Sequence, residues 1–284
     1  MLSPLITSRA NPRVKQLRAA FAGNARLADG LVAIEGENLI CEAIRSNIAL
    51  RTIFVSDHAS LPDEVSGNVE VIRLADDIFA SAADTQSPQG IAALIEPPQW
   101  QLDAALTEYS KPHAHTAPLL LIAAGLQDPG NLGTLIRSAE AFAAAAVLTT
   151  AGTVSPWNQK ALRASAGSVF RVPVLQTSVA ELNGLKAQGI HLLAAVSPDA
   201  AGKHATMPDL TKPTALMIGN EGAGLSPDLL ALADARISIP TPGPVESLNA
   251  AIAGSLLLYE ASRQRQIQSG KDAVPRTSNP EPRT

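Results

Sequence analysis

Apolar and polar positions alternate along this chain in two different rhythms. From Pro12 to Ile95, stretches with helical spacing at Pro12–Ala22, Asn38–Asn47 and Ala75–Ala83 are interleaved with short apolar runs at Leu31–Ile34, Leu50–Val55, Val69–Ile72 and Gly90–Ile95. That order predicts a small α/β unit. From Leu119 onward the runs Leu119–Ala124, Ala145–Thr149, Val172–Leu175, His191–Ala195, Thr214–Ile218 and Ala235–Ile239 are apolar with little alternation, as parallel strands buried on both faces are. Between the first two, Leu132, Leu135, Ile136, Ala139 and Phe142 form one helical face, and Asn131 is expected to cap that helix. Ser226-Pro227-Asp228 starts another helix, with serine at the N-cap and proline at the first helical position. A last helix is predicted from about Leu248 to Gln264.

The span between the two rhythms is rich in proline, at Pro97, Pro98, Pro112 and Pro118, which blocks helix continuation and ladder pairing. The expected organisation is therefore a small α/β domain at 1–97, a linker at 98–118, a parallel-sheet α/β domain at 119–265 and a disordered tail at 266–284. His113 and His115 fall in the linker with no cysteine or carboxylate partners, which suits solvated side chains better than a metal pair.

The length of 284 residues supports two cores, and 46% hydrophobic with 17% charged residues excludes a largely disordered chain. No apolar run reaches the ~18 residues of a membrane-spanning helix. The single cysteine, Cys41, forms no internal disulfide, and no Cys/His spacing suits zinc. A cytoplasmic protein without a metal is expected. With a net charge of −4, any nucleic-acid contact must be local. Arg9, Arg13, Lys15, Arg18 and Arg26 precede the first acidic residue, Asp29. They form either a solvated helix face or a patch for RNA phosphates. Aromatic residues, at 3%, are too few for a base-stacking platform.

Three segments place glycines and polar residues directly after strands, where open α/β sheets bind ligands. The first is Gln127-Asp128-Pro129-Gly130-Asn131-Leu132-Gly133 with Arg137 beyond it. A turn accounts for Asp-Pro-Gly, whereas Arg137 among apolar neighbours calls for an anionic partner. The second, Gly219-Asn220-Glu221-Gly222-Ala223-Gly224-Leu225-Ser226, lets a ligand approach the backbone but lacks the ordered glycines of a dinucleotide fingerprint. The third runs from Ile239 through Pro240, Thr241, Glu246, Ser247 and Leu248 to Asn249, and its Ser247 and Asn249 also suit plain helix caps. Asparagines, an arginine, a glutamate and a serine, without His or Cys, suit binding and positioning more than hydrolysis.

The series DPGNLGTLIRSAEAF (128–142), IGNEGAGLS (218–226) and IPTPGPVESLNAAIAGSLLLYEASRQR (239–265) resembles, in order and spacing, the three motifs of the SpoU-type (TrmH-like) SPOUT RNA 2′-O-ribose methyltransferases. The segment KALRASAGSVFRVP (160–173) is similar to the family between its first and second motifs. ITSRANPRVKQLR and IEGENLICEAI near the start are similar to its N-terminal RNA-substrate domain. Ala143 and Thr241 depart from the glycine and methionine frequent there.

The resemblance implies a parallel-sheet SPOUT domain with a deep trefoil knot, preceded by a small α/β RNA-substrate-binding domain. It also implies a homodimer and S-adenosylmethionine as cofactor. Gly219, Ile239 and Leu248 match cofactor contacts, with Leu193, Ala195 and Asn220 lining the pocket. Arg137 matches the essential arginine, Asn131, Ser247 and Asn249 its positioning residues, and Glu221 the acid of the second motif. Arg9, Arg13, Lys15 and Arg18 are the expected RNA contacts. Ribosomal RNA is favoured as substrate, with transfer RNA, or a non-catalytic dimeric RNA-binding protein that keeps the knot, as alternatives.

Overall fold

The computed structural model describes residues 4–22, 29–65, 69–83, 85, 87–110, 117–198 and 207–268. Arg26, His113, His115 and the tail from 269 onward lie outside them. Among the described residues there are two sheets.

The N-terminal sheet contains β1 (Val32–Glu35), β2 (Leu50–Ser56), β3 (Glu70–Leu74) and β4 (Ile91–Ile95) in the order β1-β4-β2-β3. β2 and β3 are parallel, and β4 runs antiparallel to both β1 and β2. Helices α1 (Pro12–Ala22), α2 (Glu37–Arg45) and α3 (Asp76–Ala82) complete this unit. Val14, Leu17 and Phe21 of α1 join Phe54, Leu74 and Phe79 in a buried cluster. Helical spacing in α1 thus places its apolar face inward and its charges outward.

The span expected to be a linker holds α4 (Leu102–Ser110) instead. Its Leu102, Leu106 and Tyr109 pack against the core of the second sheet, an i, i+4, i+7 face short enough to be missed between prolines.

The second sheet is parallel throughout: β5 (Leu119–Ala123), β6 (Ala146–Thr149), β7 (Val174–Gln176), β8 (His191–Ala195), β9 (Thr214–Ile218) and β10 (Ala235–Ile237), in the order β10-β8-β9-β5-β6-β7. The chain leaves β5 toward β6 and β7 on one side, then returns to build β8, β9 and β10 on the other. The order therefore reverses between β5 and β9, and a crevice forms beyond their carboxyl ends. β5 and β9 are buried at every position.

Among the described residues the helices of this domain are α5 (Pro129–Ala141), α6 (Gln159–Ser165), α7 (Val179–Ala187), α8 (Pro227–Leu232) and α9 (Ala250–Gln268), with a 3₁₀ turn at Ser168–Phe170. Small residues let α5 sit close to its neighbours. A Cβ on Gly133 would lie 2.3 Å from the Ala161 carbonyl of α6, and one on Gly254 of α9 would lie 2.4 Å from Leu135. Buried Arg265 ties the far end of α9 to the strand entrances, donating to the carbonyls of Leu210 at 2.9 Å and Lys212 at 3.0 Å. Burial lowers its pKa, and its carbonyl partners keep the guanidinium hydrogen-bonded away from water.

Candidate active site in the crevice beyond β5 and β9

Helix α5 begins differently from the expectation. Asp128, not Asn131, is the N-cap: its Oδ1 accepts from the Asn131 amide at 2.9 Å, and Pro129 occupies the first helical position. This is the Asp-Pro counterpart of Ser226-Pro227, which caps α8 as the sequence predicts. Lys160 Nζ lies 2.7 Å from the other oxygen of Asp128. Its hydrogen bond, then that of the Asn131 amide, holds the Asp128 carboxyl below the usual range.

Relieved of capping, the Asn131 side chain projects across the crevice. Its Nδ2 donates to Glu221, and its Oδ1 accepts from Asn249 Nδ2 at 3.1 Å. A chain of side-chain hydrogen bonds thus joins the loops after β5, β9 and β10. Asn249 also caps α9, accepting from the amides of Ala251 at 2.9 Å and Ile252 at 3.2 Å, so the cap and the site are the same side chain. The last helix accordingly starts at Ala250 rather than Leu248.

The loop after β9 is held by its own backbone. Asn220 and Gly224 exchange amide–carbonyl bonds at 3.1 and 2.9 Å, and Asn220 Nδ2 reaches the Gly125 carbonyl at 3.0 Å. A Cβ on Gly219 would lie 2.4 Å from the backbone of Gly224, so only glycine permits this closure.

Beside the loop is a cavity of about 530 Å³, lined by Ala195, Gly219, Asn220, Glu221, Ile239, Ser247 and Leu248 among others. Its apolar walls, Ile218, Ile239, Leu248 and Leu257, stand against exposed loop backbone. That combination suits a nucleoside-sized ligand with flat apolar faces and polar edges. The residues present therefore fit S-adenosylmethionine. Ser197 and Ser238, within two residues of the ends of β8 and β10, and Thr241 and Glu246 of the third polar segment also line the cavity.

The structure separates the remaining candidates. Leu193 is buried inside β8, paired with Leu216 and Ala235, and does not line the cavity. Arg137 is exposed on α5 and, among the described residues, has no protein partner. Among the described residues no side chain supplies the anionic partner expected for it, because its flank of α5 faces solvent rather than the packed side carrying Leu135 and Ile136. On α1, Arg13 pairs with Glu70 at 2.7 Å, and Arg18 donates to the Ser81 carbonyl at 3.2 Å. Arg9 and Lys15 are exposed and, among the described residues, have no such partners. No group of three or more His, Cys, Asp or Glu side chains among the described residues is arranged to hold a metal.

Residues 118–259 match the SpoU rRNA Methylase family, and residues 11–93 match the MRM3-like substrate binding domain. The chain belongs to the SpoU rRNA methylase family. Among its relatives is the 23S rRNA (guanosine(2553)-2′-O)-methyltransferase RlmP of Bacillus subtilis, 33% identical over 89% of this chain and 97% of that protein. The 23S rRNA (uridine(2479)-2′-O)-methyltransferase of Streptomyces viridochromogenes is 30% identical over 92% of each. In structure the family likeness extends to the SpoU methyltransferase AviRb from the same organism in complex with AdoMet. It superposes with a TM-score of 0.75 at 29% identity, covering 90% of this chain and 98% of that one.

Proposed function

We propose that this chain methylates a ribose 2′-hydroxyl of ribosomal RNA, using the cavity beside Gly219 for its cofactor and the Asn249–Asn131–Glu221 chain to organise the reacting ribose. The chain is an RNA 2′-O-methyltransferase that uses S-adenosylmethionine. The observation that carries the residue assignment is the juxtaposition of that hydrogen-bonded chain with the cavity, since Glu221 belongs to both. S-adenosylmethionine supplies, when bound, a methyl group activated by a sulfonium leaving group.

The protein then has to align the hydroxyl and favour its loss of a proton. Asn131 is oriented from both ends, by Glu221 and Asn249, so its amide presents a fixed face toward the crevice. Exposed Arg137 grips a phosphate beside the target ribose and stabilises the alkoxide as it develops. An arginine keeps its proton at any working pH, so it acts as a cation rather than as a base. Ser247, at the cavity rim, orients the ribose.

The N-terminal domain holds the RNA, with Arg9 and Lys15 as phosphate contacts, because they keep their charges free while Arg13 and Arg18 are spent on internal contacts. Ribosomal RNA is favoured by the rRNA methyltransferases among the relatives.

The enzyme works as a homodimer. α9 leaves Ile252, Leu256, Tyr259 and Ile267 on one exposed stripe, Tyr259 at 52% and Ile267 at 64% exposure, an apolar face beside the crevice that a second copy would cover. The C-terminal segment passes from β10 at the sheet edge to α9, which packs against β9 and α5 in mid-sheet; this is the path of the proposed trefoil knot. No metal takes part. The reading places the enzyme in the cytoplasm, a reducing compartment suited to its single, buried cysteine.

The test is transfer of labelled methyl from S-adenosylmethionine to unmodified RNA, followed by alkaline digestion, which does not cleave beside a 2′-O-methyl ribose. A labelled, alkali-resistant dinucleotide from the rRNA fraction is the expected product. The same label from the tRNA fraction moves the substrate to tRNA, cofactor binding without transfer points to a missing substrate or partner, and no cofactor binding at all supports the non-catalytic alternative.

A further inference from the structure

The two domains meet through three kinds of contact. Apolar residues of the first, including Ile34, Ile40 and Ala43, belong to one buried cluster with Leu162, Val169 and Phe170 of the second. Buried Gln159, the first residue of α6, donates to the Ala33 carbonyl at 2.7 Å. β1 is an edge strand, so this bond satisfies a carbonyl at the open side of the sheet. Gly167, at φ 86°, lies where a Cβ would come within 2.7 Å of Glu42 Cβ, which seats α2 directly on the backbone.

Arg171 closes the junction. It addresses Glu140 of α5 through two nitrogens, Nε and Nη2, the latter at 3.1 Å, while Nη1 donates to Glu42 of α2 at 2.8 Å and to Ser46 at 3.0 Å. Its hydrogen bonds hold both carboxyls below their usual range.

Physical chemistry assigns these contacts different roles. The apolar cluster holds the domains together but is not directional. Partly exposed ion pairs add little stability, yet a planar guanidinium engaged on both sides satisfies all its partners in only one arrangement. Glu140 sits near the end of the same helix that starts at Asp128-Pro129 and carries Asn131 and Arg137. The clamp therefore couples the angle of the N-terminal domain to the helix that bears the site.

We propose that Arg171 is a positioning residue for methyl transfer: by bridging Glu42 and Glu140, it sets the angle at which RNA held on the N-terminal domain is presented to α5. This rests on the reading that the N-terminal domain holds the RNA. RNA affinity then resides on one side of the junction and chemistry on the other, so a loosened junction lowers turnover without weakening RNA binding.

The experiment uses full-length Glu42→Gln, Arg171→Met and their double variant in methyl transfer to unmodified rRNA, with S-adenosylmethionine affinity measured by calorimetry. Each single variant is expected to lose about tenfold in kcat, with RNA KM and cofactor affinity within about twofold. The double variant should be no worse than Arg171→Met, because both changes break one link. An unchanged kcat, a raised RNA KM at unchanged kcat, weakened cofactor binding, or losses that multiply in the double variant overturns the proposal. Arg9→Ala/Lys15→Ala in the same assay tests the underlying reading separately: RNA KM should rise several-fold, and an unchanged KM overturns the assignment of RNA to that domain whatever the clamp variants do.

Discussion

The cavity and the polar chain beside it are built by opposite means. The cavity wall is shaped by backbone: Gly219 folds against Gly224 with no room for a methyl group, and the loop is closed by main-chain bonds between Asn220 and Gly224. The polar chain is made of side chains from the first turn of α5 and from two loops, Asn249 to Asn131 to Glu221, and depends on the atoms each one supplies. The first is damaged by adding atoms and the second by removing them. Cofactor binding and catalysis should therefore be separable by mutation even though Glu221 belongs to both.

The sharpest break of that separation is Arg137→Ala, which should lower kcat by about 10²–10³ or more, the cost of losing one preorganised group that stabilises developing charge. Cofactor affinity measured by calorimetry should stay within a few-fold; its loss would remove Arg137 from the catalytic side. Gly219→Ala is the converse. The added methyl forces the loop after β9 open at a cost of about 1–3 kcal/mol, so affinity for S-adenosylmethionine should fall about 10- to 100-fold.

Asn131→Ala removes the middle of the chain without touching the cap of α5, which belongs to Asp128. Turnover should fall about tenfold or more while the melting temperature barely moves. Asn249→Ala loses the same chain and also the cap of α9, so it should add about 1 kcal/mol of destabilisation, visible in thermal unfolding. The smallest effect is on pH. Asp128 has a depressed pKa in the fold, so its ionised form stabilises the start of α5 above the ordinary aspartate value of 3.8, and that contribution is lost as the pH falls through the lower folded value. Because the pair with Lys160 is exposed, the loss should be less than about 1 kcal/mol, read as faster amide exchange at Asn131.

Much of this molecule is legible in one dimension. The apolar runs from Leu119 onward predict each described strand of the parallel sheet to within a few residues, because strands buried on both faces are mostly apolar. The three polar segments are recognisable because ligands collect at the ends of such strands. Where the structure departs from the sequence pattern, partners distant in sequence decide the outcome. Asn131 looked like a cap because capping is local, but Asp128 took that role with the support of Lys160, leaving Asn131 for Glu221. The span 98–118 looked like a linker because α4 is short and lies between prolines, yet its apolar face had a core to join.

The sequence by itself determined the elements, the apolar faces and the residue types at each strand end, since these follow from periodicity and chain-local sterics. Only the tertiary structure decided which ends meet. The reversal of strand order between β5 and β9 brings residues 131, 221 and 249 into one hydrogen-bonded chain, leaves Arg137 facing solvent and Leu193 inside the sheet, and seats α2 against Arg171. Those outcomes depend on distances between segments some 30 to 130 residues apart, which no local pattern encodes.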